Sequence, residues 1–194
     1  MTVKTVAKIG LIICALYFFM TTVVVVTGNS LALLLFEIIT MLSGIYMVLL
    51  IATLPFPKEK RDSLPRKAAI SCAALCMVIT NMVHCINIAV IQPMVANGTS
   101  VPDYLTLGLW PSVITAVEYL AWGQFLALAF LLSALISKPE AKIKLLLYVC
   151  GCLCAAGFFG VIFVNEFCWY ISPLGYGIGT AIICVKLLLV KTEE

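Results

Sequence analysis

Residues 30–54 read SLALLLFEIITMLSGIYMVLLIATL and contain a single charged side chain, that of Glu37. A hydrocarbon core of about 30 Å is crossed by roughly 20 apolar residues in helical conformation. Lipid offers no hydrogen-bond partners, so a segment of this kind is stable there as a helix that satisfies its own backbone. The stretch therefore predicts a membrane-spanning helix.

The rest of the chain repeats this pattern. Hydrophobic residues make up 63% of it and charged residues 11%, and the mean hydropathy is +1.16, which lies outside the range of soluble domains. We predict an all-α membrane protein, a six-transmembrane-helix bundle that forms a single polytopic membrane domain over residues 1–194. The first apolar stretch is longer than the apolar region of a signal peptide, so we expect it to remain as a span. The predicted spans are approximately 9–27, 30–54, 68–94, 111–137, 144–165 and 171–190.

The positions of the cations predict the orientation. All twelve Lys and Arg residues lie before span 1, between spans 2 and 3, between spans 4 and 5, or at the end of span 6. They are Lys4, Lys8, Lys58, Lys60, Arg61, Arg66, Lys67, Lys138, Lys142, Lys144, Lys186 and Lys191. The positive-inside rule places these segments, and hence both termini, in the cytoplasm. The formal charge of +3 favours membrane lipids as partners and gives no reason to expect nucleic acid.

Three ionisable residues, Glu37, His84 and Glu118, interrupt the apolar stretches. A charged side chain at the bilayer centre costs roughly 2.5–3.5 kcal/mol, so such residues are usually functional. With a rise of ~1.5 Å per residue, both glutamates are expected about 10 Å below the outer surface. His84 and Asn87 fall at a similar depth. We therefore predict that spans 2, 3 and 4 bring these side chains together.

Helical phase adds further candidates. Thr115 and Trp122 share a face with Glu118, Asn81 and Asn87 flank His84 at intervals of three, and Tyr176 and Thr180 form a line in span 6. The predicted ligand-binding residues are Glu37, His84, Glu118, Asn81, Asn87, Trp122, Tyr119, Tyr176, Thr180 and Thr115. Two acids without a Lys or Arg at the same depth leave acceptors that need a cation or protons. The aromatic rings offer cation–π contacts, and histidine is the residue type that titrates near neutral pH.

The favoured function is the binding of a small cationic or amphipathic ligand at an outward-facing acidic site. Transport of this ligand, coupled to protons, is an extension of that function. An intramembrane acid/base enzyme, isomerase-like and acting on a lipid or sterol-like substrate, is the first alternative. A scaffold or accessory subunit, in which the same polar groups form a static hydrogen-bonded latch, is the second. The chain has one histidine, no His-Glu-x-x-His or Gly-x-Ser-x-Gly motif and no phosphate-binding loop. We therefore predict no catalytic residue, metal or cofactor.

Other residues are expected to have structural roles. At ~100° per residue, Cys152 points away from Cys150 and Cys154, so the three thiols of this cluster do not converge on one metal ion. All nine cysteines are therefore interpreted as free thiols, and Cys168 is expected in an outer loop. Glycines in spans 5 and 6 predict close packing of these spans on each other or, alternatively, on a partner helix. Pro111 is expected in the first turn of span 4. Trp110, Trp169 and Tyr170 are expected to anchor the outer interface.

Overall fold

The computed structural model describes residues 2–137 and 142–189 and contains six helices that are long and apolar enough to cross a membrane. They are α1 (Val3–Thr27), α2 (Ser30–Thr53), α3 (Leu64–Ala96), α4 (Val113–Ile136), α5 (Lys142–Ile162) and α6 (Phe167–Leu189). The prediction of six helices is confirmed. Lys138, Lys191 and the predicted end of the last span at residue 190 lie outside the described residues.

The first two helices form an antiparallel hairpin with a two-residue connection. Gly28 adopts a left-handed conformation with φ of 59°, and its N–H donates to the carbonyl of Val24. The side chain of Asn29 then caps α2 by accepting from the N–H groups of Leu31 and Ala32. Both helix ends are therefore satisfied locally, which fixes the sharp reversal of the chain.

Several helix ends differ from the predicted ones, and α1, α3 and α6 begin at Val3, Leu64 and Phe167 rather than at 9, 68 and 171. Helix α4 begins at Val113 rather than at Pro111, since the hydroxyl of Ser112 accepts from the N–H of Thr115 at 3.3 Å. Helix α5 ends at Ile162 rather than at 165, where Val164 takes a positive φ of 52°. Cys168 lies in a helical turn and not in a loop, because Asn165 caps that turn.

Small residues let α5 pack closely against α6. A Cβ added to Gly157 would lie 2.6 Å from the Cβ of Ser172, and one added to Gly175 would lie 2.7 Å from the carbonyl oxygen of Cys150. These glycines therefore allow close packing of α5 and α6 within the bundle. Cys150 and Cys154 are buried and Cys152 is exposed, as the helical phase predicts, and all nine cysteines are free.

Three helices contain π-helical segments, in which one turn holds an extra residue. The segments are Asn87–Ile91 in α3, Leu120–Leu126 in α4 and Leu174–Gly179 in α6. Each lies about 10 Å from the end of its helix that adjoins the α3–α4 or the α5–α6 connection, at ~1.5 Å per residue. We call this end of the bundle the loop side. The three irregular turns therefore share one layer.

Proline accounts for the irregularity in α6. Pro173 has no N–H, so the carbonyl of Trp169, four residues earlier, lacks its helical donor. The hydroxyl of Tyr119 on α4 donates to that carbonyl at 3.3 Å. A side chain from the neighbouring helix thus satisfies the group that the proline leaves free.

The exterior of the bundle is apolar along its length. Val25 is 80% exposed, Phe163 73% and Leu145 69%. Buried polar side chains, by contrast, include Glu37, His84, Asn87 and Thr115. The polar groups are therefore held inside the bundle, where the site lies.

Candidate functional site

His84 on α3 lies between a carboxylate from α2 and a carboxylate from α4. Its Nδ1 is hydrogen-bonded to Oε2 of Glu37, and its Nε2 lies 3.2 Å from Oε1 of Glu118. The histidine is 1% exposed and Glu37 is 3% exposed. The three side chains that the sequence placed at one depth are therefore in direct contact. We refer to Glu37, His84 and Glu118 as the triad.

The two carboxylates of the triad have different surroundings. Glu37 is bonded through both oxygens, because Asn87 Nδ2 donates to its Oε1 at 3.4 Å. Oε1 of Glu118 is hydrogen-bonded to Nε2 of His84 and also accepts from the indole N–H of Trp122, which is 2.6 Å away. Oε2 of Glu118 is buried and has no hydrogen-bond partner among the described residues. Buried polar atoms are normally paired, and this oxygen is the one carboxylate atom among seven buried side-chain N and O atoms that have no partner in the described part of the chain.

Counting the protons in the two hydrogen bonds gives the charge of the triad. Each bond between a ring nitrogen and a carboxylate oxygen contains one proton. Without protons, two carboxylates and an imidazolate carry a charge of −3, so two protons leave −1. With these two protons alone, the triad has one negative charge in an apolar interior, wherever the shared protons sit. A charge buried in this way requires a partner.

Glu118 lines a cavity of about 200 Å³ at the loop side of the bundle. Most of the wall is aromatic, and the polar lining includes His84, Thr40 and Thr115. The aromatic residues are Tyr17, Phe36, Tyr119, Trp122, Trp169, Tyr170 and Tyr176. Gly108 of the α3–α4 connection also lines the cavity, and its N–H donates to the hydroxyl of Thr115 at 2.9 Å. The connection is therefore attached to the cavity wall.

A smaller cavity of about 30 Å³ adjoins the first and has room for a water molecule. The two cavities share a set of lining residues, which are Tyr17, Thr40, Glu118, Trp122 and Tyr176. The smaller one continues along α2 to Ser43 and Tyr46, where the Tyr46 hydroxyl lies 2.9 Å from Sγ of Cys184. Glu118 therefore lies at the junction of both cavities.

The structure brings together six of the ten predicted site residues at the large cavity. They are His84, Thr115, Glu118, Tyr119, Trp122 and Tyr176. The described lining of the two cavities does not include Glu37, Asn81, Asn87 or Thr180. Asn87 supports Glu37, the hydroxyl of Thr180 is directed at Sδ of Met47, and Oδ1 of Asn81 has no partner among the described residues. Ligand contact by any of these side chains stays a prediction.

Several cavity residues were not among the predicted ones. Thr40 lies three residues after Glu37 on the same helical face, which is a signal that the sequence does contain. Tyr17 is the one tyrosine of α1, and the hydroxyl of a tyrosine in a spanning helix usually needs a partner. No pattern in the sequence indicates that Phe36 or Gly108 lines a cavity.

The expectation for Trp169 was wrong. It is 7% exposed and packs against Trp110 and Tyr119, with ring centroids 6.0 Å and 6.1 Å apart, instead of anchoring the outer interface. Gly160 makes room for it, because a Cβ there would lie 2.6 Å from Cδ1 of the indole. Trp110 and Tyr170 are exposed, at 36% and 75%.

The fold and the site define a helical bundle with six helices that can cross a membrane and with an acidic, aromatic cavity between them. No family model, curated protein or solved structure matches the chain. In the described ranges, no group of three or more His, Cys, Asp and Glu side chains is arranged to hold a metal ion. The function must therefore be argued from the site itself.

Proposed function

We propose that this chain is a multi-pass membrane protein that binds a small organic cation at an acidic site within the membrane, reached from the outer face. The observation that carries the proposal is the unpaired, buried Oε2 of Glu118, in a triad whose two hydrogen bonds account for two protons and leave a charge of −1. A bound cation would supply the missing partner for this charge.

The described part of the chain offers no cationic side chain to fill that role. Its two ion pairs are those of His84 with the glutamates, and the Lys and Arg residues lie at the opposite side of the bundle from the cavity. Arg66, for example, donates to the backbone carbonyls of Arg61 and Ala52 near the α2–α3 connection. A ligand from outside the protein is therefore the natural source of positive charge.

The cavity lining favours an organic cation over a metal ion. The rings of Trp122 and Tyr176 lie 4.9 Å apart beside Glu118, and Tyr17 and Tyr119 add further faces. Aromatic faces attract ammonium groups, whereas hard ions such as Ca²⁺ need six to eight oxygen ligands. The volume of about 200 Å³ is below the roughly 300–1,000 Å³ of drug-sized sites, so the ligand is small.

The membrane location and the orientation are part of the proposal. The apolar exterior is of the kind that lipid covers, and the positive-inside rule puts the cation-rich connections in the cytoplasm. The loop side with its cavity then faces outward. Entry from that face and binding at Glu118 would be the first steps of transport.

Ligand-induced thermal stabilisation tests the proposal. Choline should raise the melting temperature of the purified protein, because a ligand at 100 times its Kd stabilises by about 2.7 kcal/mol. The neutral isostere 3,3-dimethylbutan-1-ol should not. Glu118→Gln should abolish the effect of choline, and Glu59→Gln, the same change at an exposed position of the α2–α3 connection, should preserve it. Stabilisation by the neutral isostere, or full stabilisation of Glu118→Gln, would contradict the proposal.

One observation also favours the acid/base enzyme as a second candidate. His84 joins two carboxylates through both ring nitrogens, an arrangement that can pass a proton between them. An enzyme acting on a lipid or sterol-like substrate should keep binding that substrate after Glu118→Gln and lose turnover. A scaffold should show neither effect and change only in thermal stability.

A further inference from the structure

Without a cation, the negative charge of the triad can be neutralised by a third proton. The two hydrogen bonds of His84 hold two protons and leave a charge of −1. One more proton makes the triad neutral, which removes the cost of burying its charge. The empty site and the loaded site therefore differ in proton content.

The hydrogen bonds point to the position of this third proton. Both oxygens of Glu37 already have partners, and Glu37 is not part of the described cavity lining. Oε1 of Glu118 is hydrogen-bonded to His84 and Trp122, which leaves Oε2 of Glu118 free to be protonated. The Glu118 side chain is 15% exposed, against 3% for Glu37, so it is also the carboxyl group that the cavity can reach.

Other titratable groups around Glu118 do not compete for this proton near neutral pH. Those that face it, its partners or the two cavities are Cys14 and Tyr17 on α1, Glu37 and Tyr46 on α2, His84 and Cys76 on α3, Tyr119 on α4, Cys154 on α5, beside Cys76, and Tyr170 and Tyr176 on α6. Tyrosine and cysteine keep their protons at neutral pH. The exchangeable protons at the site are therefore those of the triad.

We propose that the organic cation and the third proton exclude each other at Glu118, so that each cation that binds releases one proton. This inference rests on the proposed function and specifies its coupling. The neutral triad with three protons combines with the cation to give the triad of charge −1, the bound cation and a proton that leaves through the cavity to water. Charge and atoms balance without a further reactant, and no bond other than O–H breaks.

Calorimetry of tetramethylammonium binding counts the protons. This cation has no ionisable proton, so any proton released comes from the protein. Titrations at one pH in two buffers of different ionisation enthalpy give the number released from the difference in heat. We expect one proton per cation for the unaltered protein and for Glu59→Gln. We also expect the affinity to rise about tenfold per pH unit while the free site is protonated.

The outcomes separate the exchange from the binding. Tetramethylammonium that binds with no proton release, and with an affinity independent of pH, would overturn the exchange and leave the proposed function intact. Failure of both tetramethylammonium and choline to bind would overturn both. Proton counting uses the unaltered protein, so it does not depend on whether Glu118→Gln folds. That variant should give no binding heat.

Discussion

At the scale of single residues, Glu37 and Glu118 share a side chain but occupy unlike surroundings. Glu37 has both oxygens bonded to neighbouring side chains, whereas Glu118 has one oxygen without a partner and is a residue that lines both cavities. The bundle thus contains one carboxylate with both oxygens paired and one carboxylate with an unpaired oxygen, and we propose that the second one binds the cation. His84 joins them and positions Glu118 through its Nε2.

This division predicts different results for the two neutralising substitutions. Glu37→Gln should lower the free energy of unfolding by about 1–3 kcal/mol, because it weakens two buried hydrogen bonds. It should keep stabilisation by choline, because the introduced amide can donate to Nδ1 of a neutral His84 whose one ring proton lies toward Glu118, which leaves the site with a charge of −1. Glu118→Gln should lose that stabilisation at a smaller cost to the protein without ligand. Thermal unfolding with and without choline measures both. Equal loss of stabilisation in the two variants would contradict the division.

The common depth of these residues could be predicted from the sequence, but the difference between the surroundings of Glu37 and those of Glu118 could not. Apolar length and the cation pattern were enough to place Glu37, His84 and Glu118 in one layer. Which carboxylate reaches a cavity depends on side chains from other helices, such as Asn87 beside Glu37 and Trp122 beside Glu118. Those contacts are tertiary, and helical phase within a single span does not specify them.

At the scale of elements, the π-helical segments explain why simple helical phase was an incomplete guide. Thr180, predicted in line with Tyr176, directly follows the segment of α6 and is not part of the described cavity lining. An extra residue per turn rotates all later side chains relative to a regular helix. Pro173 gave a sequence signal for one segment, whereas α4 has no proline between Val113 and Ile136. Gly123, inside the irregular segment of α4, packs closely on the backbone of Phe158.

Two glycines of the α6 segment test whether this packing is rigid. Gly175→Ala should destabilise the protein by about 1–3 kcal/mol, because its Cβ would lie 2.7 Å from the carbonyl oxygen of Cys150 and 3.0 Å from the N of Cys154, both backbone atoms. Gly177→Ala should cost less, since its Cβ meets the end of the Phe18 ring at 2.9 Å and a ring can shift. Thermal unfolding of both variants compares the two losses of stability. A larger loss of stability for Gly177→Ala than for Gly175→Ala would show that the backbone of α5 shifts more easily than the Phe18 ring.

At the scale of the whole molecule, the number of helices follows from apolar length alone, and the structure has the same six. Their ends required caps that the sequence showed only in part, as with Ser112 and Asn165. The side on which each connection lies follows from six crossings. The assignment of that side to the cytoplasm depends on the cation pattern, and it stays a prediction.

The chain itself supplies a test of this orientation, because its lysines are confined to one predicted side. A membrane-impermeant amine-reactive ester applied to intact cells should label none of them, and the same reagent should label them after permeabilisation. Thr99→Lys puts an amine in the exposed α3–α4 connection, so that variant should be labelled in intact cells. Labelling of the unaltered protein before permeabilisation, with none added by Thr99→Lys, would reverse the orientation. The Glu118 cavity would then open to the cytoplasm, and the cation would have to bind from that side.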